Sequence, residues 1–236
     1  GIKPGRILIE PEAKNTAPAI IAGTITAYND DKNAVIISAP SDHVIPDINY
    51  FNETILSGLD AVNSGKIVTF GVCPTHPNTG YGYLKIEKSD KLGPKKVLNF
   101  VEKPNENLAT KMFKNRNYFW NSGIFMFRAK DMINAFETFA QDTLSHVIKA
   151  VDQSIIDMEF TRLDQKHWNK IKEISIDYAI MEKAKNLVLI PYNSHWSDLG
   201  NWDSVWSETE KDSNGVALSK NAHAIGCKNS LLRSEN

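Results

Sequence analysis

Ala34-Val35-Ile36-Ile37-Ser38-Ala39-Pro40-Ser41-Asp42-His43-Val44-Ile45 is the stretch on which the fold reading turns. Its short apolar run, rich in β-branched residues, has the character of a strand buried on both faces, as in a parallel α/β sheet. Pro40 breaks the run and delivers Asp42 and His43 just past its carboxyl end. Open α/β sheets bind ligands in the crevice outside the carboxyl ends of their strands. An acid placed there can hold a metal ion or a ligand hydroxyl, and it is equally at home as a turn or helix-capping residue.

Working outward, Arg6-Ile7-Leu8-Ile9 reads as a short strand that ends in Glu10-Pro11. An apolar, small-residue helix follows over about 19–28, with Thr16 able to cap it and Pro18 near its first turn. Beyond the central stretch, Asp47 opens a helix through Phe51, Ile55, Leu59 and Val62 at helical spacing. Lys66-Ile67-Val68-Thr69-Phe70-Gly71 is a second buried strand. This β-α-β-α-β order implies a parallel sheet with right-handed crossovers.

The middle changes character. Residues 79–86 alternate into a strand, and 95–101 can be its antiparallel partner, ending at Glu102-Lys103-Pro104. A short helix over about 107–114 leads to Asn121-Ser122-Gly123, read as the start of a strictly apolar strand over 124–127. Helical patterns follow near 130–139 and 144–151, and Ser175 caps another over about 176–184. Strand character returns at 187–190 and closes at Ser197-Asp198-Leu199-Gly200, before a helix begun by Trp202, Val205 and Trp206. The polar tail keeps strand-like remnants near 222–225, so residues 1–212 are read as one domain and 213–236 as the start of a linker or β-helical region.

At 236 residues, 42% hydrophobic and 23% charged, the chain has the composition of a soluble globular protein. A net charge of -1 gives no reason to expect nucleic-acid or acidic-membrane binding through bulk charge. Cys73 and Cys227 lack metal spacing and form no disulfide framework, a usage that suits a cytoplasmic setting. No apolar stretch is long enough to span a bilayer.

Asp42 and Asp198 each follow a buried strand pattern, and two such strands in one sheet can bring their carboxylates together at its edge. Mg²⁺ is typically held by one or two carboxylates plus substrate phosphates. The alternative is that both acids cap following helices. Lys103 offers a compact charge suited to a phosphate, and Glu102 a carboxylate for sugar hydroxyls, or the two are a solvated pair at a turn. Gly80 and Gly82 permit close backbone approach to a ligand beside Tyr81 or Tyr83, or simply turn the chain into a hairpin. Gly58, Gly65 and Lys66 do not make a phosphate-binding loop, because six residues lie between the glycines and Ile67 stands where Ser or Thr is required.

Taken in order, several of these pieces resemble the mannose-1-phosphate guanylyltransferases, a family of sugar nucleotidyltransferases. They are Leu8-Ile9-Glu10-Pro11, Asn15-Thr16-Ala17-Pro18-Ala19, Ser41-Asp42-His43-Val44-Ile45 and Thr79-Gly80-Tyr81-Gly82-Tyr83. Phe100-Val101-Glu102-Lys103-Pro104, Trp120-Asn121-Ser122-Gly123, Ser175-Ile176-Asp177-Tyr178-Ala179 and Trp196-Ser197-Asp198-Leu199-Gly200 continue the match, which covers about residues 7–229. The resemblance implies a Rossmann-like mixed, mainly parallel sheet flanked by helices. It implies GTP and mannose 1-phosphate as substrates, GDP-mannose and pyrophosphate as products, Mg²⁺ as the metal, and a possible homo-oligomer. By the same resemblance Asp42 and Asp198 hold the metal, Lys103 meets the sugar phosphate, and Glu102, Gly82, Tyr83 and Asn121 meet the sugar.

Guanine presents two donors side by side on one edge, which a single carboxylate can accept together, whereas adenine offers no such pair. Glu10 is therefore expected to select guanine, with Asn15, Thr16 and Ala17 near base and ribose; the alternative is that Glu10 only anchors its loop. The family's Gly-Gly-x-Gly-x-Arg-Leu-x-Pro loop belongs before Ile7 and is not in these residues. The expectation is thus a piece of a longer protein, without that loop and its strand, truncated at both ends and weakly active or inactive alone.

Overall fold

The computed structural model describes residues 5–88 and 93–234. The chain divides into two compact units, Gly1–Ala39 with Asn52–Asn193 and Pro40–Phe51 with Ser194–Asn236, whereas the sequence reading sets its one boundary at 212/213.

In the first unit β1 (Ile7–Ile9) leads into α1 (Thr16–Asp30), and the chain returns as β2 (Val35–Ser38). The cap of α1 is Asn15 and not Thr16: the Asn15 side chain accepts the Thr16 N–H. Later come β3 (Ile67–Val72), β4 (Tyr83–Ile86), β5 (Lys95–Val101), β6 (Tyr118–Arg128), β7 (Ile155–Asp157), β8 (Phe160–Arg162) and β9 (Leu187–Tyr192). Among the described residues one sheet has the order β2-β6-β3-β9-β5-β4, and a smaller one the order β1-β8-β7.

The mixed, helix-flanked α/β architecture stands, but the large sheet is not mainly parallel. Of its neighbouring strands only β3 and β9 pair in parallel; β2–β6, β6–β3, β9–β5, β5–β4 and β4–β6 are antiparallel. Strands β2 and β3 do run the same way, as crossover connections require, but β6 is inserted between them with opposite sense. The β-α-β-α-β reading also placed the first strand in this sheet, and β1 instead pairs with β8. Alternation and apolarity show that a strand is buried, while its neighbour is chosen by the topology.

The opening stretch shows the consequence. Strand β2 has β6 as its only partner among the described residues, and Val35 and Ile37 are 41% and 45% exposed. Among the described residues it lies at the edge of the sheet and is not buried on both faces. The strands buried throughout are β3 and the 124–127 part of β6.

The helix expected from Asp47 to Val62 is two, α2 (Ile48–Leu56) and α3 (Leu59–Asn63), parted at Ser57-Gly58. Asp47 accepts the Tyr50 N–H and so begins α2 as expected. Helix α4 (Glu106–Lys114) is capped by Asn105. Helices α5 (Ala129–Phe139) and α6 (Gln141–Asp152) pack against α1, and Ile21, Ile25, Met132, Phe136 and Val147 join Phe125 and Phe127 in the core. Burial of such side chains contributes roughly 1.5–3 kcal/mol each. The short α7 (Gln165–Trp168) buries Trp168, whose indole N–H donates to the Glu12 carbonyl at 2.8 Å and holds the segment after β1 in place.

The second unit carries α8 (Trp202–Glu208) and a parallel pair, β10 (Ala217–Leu218) with β11 (Leu231–Leu232). Lys211 donates to the carbonyls of Trp206, Ser207 and Thr209 and satisfies the end of α8. The strand-like remnants near 222–225 are not strands; the tail's strands lie on either side of them.

Candidate functional site

In the second unit, Asp42 and Asp198 are brought together by the backbone. Val44 and Ser197 form an antiparallel bridge, with Val44 N–H to Ser197 O at 2.8 Å and Ser197 N–H to Val44 O at 3.2 Å. Asp42 lies two residues before one end of that bridge and Asp198 one residue after the other. Asp198 Oδ1 accepts the Gly200 N–H at 3.0 Å across Leu199, which is held at φ 50. Bulky residues adopt positive φ only at a cost of order 1–2 kcal/mol, borne where the surroundings over-determine the turn.

His43 reports on this pair. Burial pushes its pKa below the ordinary value, while Asp42 and Asp198 both pull it back up. The Trp196 indole N–H donates to His43 Nδ1 at 3.3 Å, which suits a neutral ring with its proton on Nε2. Among the described residues no group of three or more His, Cys, Asp or Glu could hold a metal. Two carboxylates close enough to act on one imidazole are what the described residues place here. That oxygen-only, incomplete set fits Mg²⁺, whose remaining positions go to water and substrate phosphates.

The first unit carries the other candidates at the corner where β4, β5 and β6 meet. Strand β5 ends at Val101, opposite Tyr83 of β4, so Glu102 and Lys103 lie just beyond the hairpin pairing. Gly82 is where a side chain is excluded. A Cβ there would stand 2.5 Å from Glu102 Oε2, 3.1 Å from Phe100 and 3.4 Å from Asn121 Cβ. The Glu102 carboxyl thus lies directly over the Gly82 backbone, and the Gly82 carbonyl accepts the Asn121 N–H at 2.8 Å.

Asn121 is not at a strand start, as the sequence suggested, but inside β6. Between Thr69↔Phe125 and Gly71↔Asn121 the register with β3 shifts, so β6 spends two extra residues there, and Gly123 takes φ 72. Bulges of this kind re-aim side chains beside functional sites. Here Asn121 Oδ1 accepts from Thr69 Oγ1 at 3.0 Å and from the Gly123 N–H at 3.3 Å. Its Nδ2 donates to Asp177 Oδ1 at 2.9 Å. Asp177 opens a π-helical turn, Asp177–Met181, in place of the helix expected over 176–184.

Glu102 is the most perturbed carboxyl of this corner. Burial, then Asp177 and Glu182, raise its pKa from 4.5 to about 7, against the lowering effect of Lys103, whose Nζ is 3.8 Å away. Burial also raises Asp177. A carboxyl raised in the fold favours its protonated form. Its contribution to stability is therefore complete below pH 4.5 and lost as pH rises through about 7. Glu102→Gln, neutral throughout, is expected to gain about 1–2 kcal/mol over the wild type at pH 8 and almost nothing at pH 4, after allowance for partial exposure. Urea unfolding at the two pH values checks this; equal differences at both would contradict it.

Lys103 itself sits at φ 46 with its side chain 63% exposed, a strained backbone that presents an ammonium to solvent. Tyr83, by contrast, is fully buried, and its hydroxyl accepts the Asn78 N–H at 2.9 Å, bracing the loop before β4.

Around α1, the structure employs the remaining candidates in a joint. Thr16 Oγ1 accepts the Ile176 N–H at 2.9 Å, the Ala17 N–H donates to the Ile174 carbonyl at 3.2 Å, and Ala17 is fully buried. Asn15, at φ 65, also donates to Glu173 at 3.4 Å. Glu10, at the end of β1, is half-buried, and burial raises its pKa. Ile9 and Pro11 line the cavity beside β1 together with Arg162 and Asp164, and Glu10 is not part of that lining.

The sequence reading did not single out Asp177, Glu182 or Thr69. An Asp near the start of a helical segment reads as an ordinary first-turn acid, a Glu near its end as a solvated side chain, and a Thr within a buried strand as core.

The Nucleotidyl transferase family model matches residues 4–215. A curated relative from Sinorhizobium fredii, a mannose-1-phosphate guanylyltransferase, is 40% identical over 99% of this chain and 46% of its own length. The chain spans about half the length of the curated relatives it matches. Among solved structures, a Thermus thermophilus protein described as a mannose-1-phosphate geranyltransferase superposes with TM-score 0.77 at 26% identity, over 91% of this chain and 61% of that one. A Helicobacter pylori protein described as a mannose-6-phosphate isomerase superposes with TM-score 0.73 at 31% identity, over 81% and 74%. The strand order, the acids at the Val44–Ser197 bridge and the Glu102-Lys103 corner thus occur in a chain matched along most of its length by one family model, and the chain belongs to the nucleotidyl transferase family.

Proposed function

We propose that the protein containing this chain transfers a guanylyl group from GTP to mannose 1-phosphate, forming GDP-mannose and releasing pyrophosphate. The observation that carries the reading is the corner at which Glu102, Lys103, Gly82 and Asn121 gather acceptor, cation and donor over one stretch of backbone. The name of the Sinorhizobium relative supports the choice of sugar and base.

On this reading a phosphate oxygen of the sugar phosphate attacks the α-phosphorus in line, and the β–γ unit leaves as pyrophosphate. Lys103 holds the attacking phosphate, and Glu102 and Asn121 hold the sugar so that the oxygen is aimed. Asp42 and Asp198 are the residues to hold Mg²⁺, which when bound offsets charge on the phosphate oxygens. No covalent intermediate is needed, so positioning and charge stabilisation do the work. A cytoplasmic setting goes with this reading, supported by the free thiols of Cys73 and Cys227.

Incubation of the intact protein with GTP, mannose 1-phosphate and Mg²⁺ is expected to yield GDP-mannose and pyrophosphate in equal amounts. Folded protein that yields neither would refute the reading. The Helicobacter neighbour's name raises isomerisation of mannose 6-phosphate as a second activity, which the same preparation tests with that substrate.

Glu10 is the proposed guanine reader. Its carboxyl is half-buried, and among the described residues no ion pair or hydrogen bond reaches it, so a base edge could use both oxygens. Glu10→Gln is expected to reduce the GTP-over-ATP ratio of kcat/KM about tenfold or more, since one of two accepted hydrogen bonds becomes a donor clash. An unchanged ratio would return Glu10 to a loop anchor.

A further inference from the structure

Asn121 is the donor of the Glu102 corner, and an amide is a useful donor only if its orientation is fixed. Its oxygen is fixed from one side by Thr69 Oγ1 and the Gly123 N–H. Its nitrogen is fixed from the other by Asp177 Oδ1, 56 residues further along the chain. That bond uses one of the two amide hydrogens and leaves the second for a ligand. Thr69 is fully buried, and Asp177 sits on a π-helical turn, a backbone form found disproportionately at functional sites.

We propose that Asp177 is a positioning residue for sugar-phosphate recognition: it clamps the Asn121 amide so that the remaining N–H points to a sugar hydroxyl beside Glu102. This rests on the transferase reading above and adds to it a residue that touches no substrate. The clamp needs an acceptor at position 177 and not a charge. Asp177→Asn can turn its own carbonyl oxygen to Asn121, whereas Asp177→Leu keeps the branched outline, though bulkier, and accepts nothing. A residue that merely supported the fold would change stability and leave substrate affinities alone, or change both substrates together.

The test is steady-state kinetics of the intact protein, with hydrogen exchange at the Asn121 side-chain amide followed by NMR. Asp177→Leu is expected to raise the KM for mannose 1-phosphate about tenfold, keep the KM for GTP within about twofold, and speed amide exchange about tenfold. Asp177→Asn is expected to keep all three within about threefold of wild type. Thr69→Val, which removes the opposing donor, should show the same KM split and combine with Asp177→Leu less than additively. Equal rises in both KM values, or an Asn121 amide indifferent to Asp177→Leu, would overturn the clamp. If the wild type makes no GDP-mannose, the transferase reading falls and the sugar role falls with it; if it is active and the KM split is missing, only the role of Asp177 falls.

Discussion

Asp198→Asn is expected to lower kcat about 10³-fold and to raise the Mg²⁺ concentration for half-maximal rate more than tenfold. Stabilisation of phosphate charge by a bound metal is worth several kcal/mol, and each 1.36 kcal/mol is a factor of ten in rate. The substitution separates metal binding from folding. Asn retains the oxygen that accepts the Gly200 N–H, so the turn through Leu199 and the Val44–Ser197 bridge keep their bonds. Thermal unfolding should therefore move by only a few degrees, the scale of about 1 kcal/mol or less in a chain of this size. Asp42→Asn should follow the same pattern. An Asp198→Asn protein with wild-type kcat and Mg²⁺ dependence would remove the pair from the proposed metal site.

Lys103 carries the second large effect, and here activity and stability are expected to move in opposite directions. Replacing its ammonium with a neutral side chain, as in Lys103→Met, should lower kcat/KM for mannose 1-phosphate about 10²–10³-fold, the usual loss when one preorganised charge partner is removed. Arg should not restore it, because a planar fork on a longer stem does not reproduce a point charge at the same place. Lys103→Gly should be as inactive yet more stable by up to about 1 kcal/mol, since the residue sits at φ 46, where only glycine rests without strain. Matched measurements of kcat/KM and urea midpoint decide the matter. A Gly variant less stable than the Met variant would show that the turn is not strained.

Glu102 modulates the Lys103 effect from the other side. Its pKa of about 7 means that the charge opposite Lys103 changes across neutral pH, so wild-type and variant rates are to be compared at one pH. The origin is burial first, and then the company of Asp177 and Glu182, which come from a segment some 80 positions further along the chain.

The amino-acid sequence by itself determined the local elements whose signal is local. Alternation marked the β4–β5 hairpin, helical spacing marked α5 and α6, and unbroken apolarity marked β3 and β9. The stretches around Asp42, Glu102-Lys103, Asn121 and Asp198 were likewise visible as residues with chemical potential at strand ends. What only the tertiary structure decided is adjacency. Val35-Ile36-Ile37 reads as a strand buried on both faces, but among the described residues it pairs with β6 alone and is partly exposed, because apolar periodicity specifies a face and not a partner. The insertion of β6 between β2 and β3 is a long-range choice of topology, and so is the β1–β8 pairing. The same holds for the site. Asn121 becomes a fixed donor through a bulge in β6 and through partners from two distant segments, Thr69 and Asp177. Glu102 acquires its pKa from groups that meet it only once the chain is folded. Hydrogen bonds and burial act through space at about 3 Å, whatever the separation along the chain, and a sequence records only the latter.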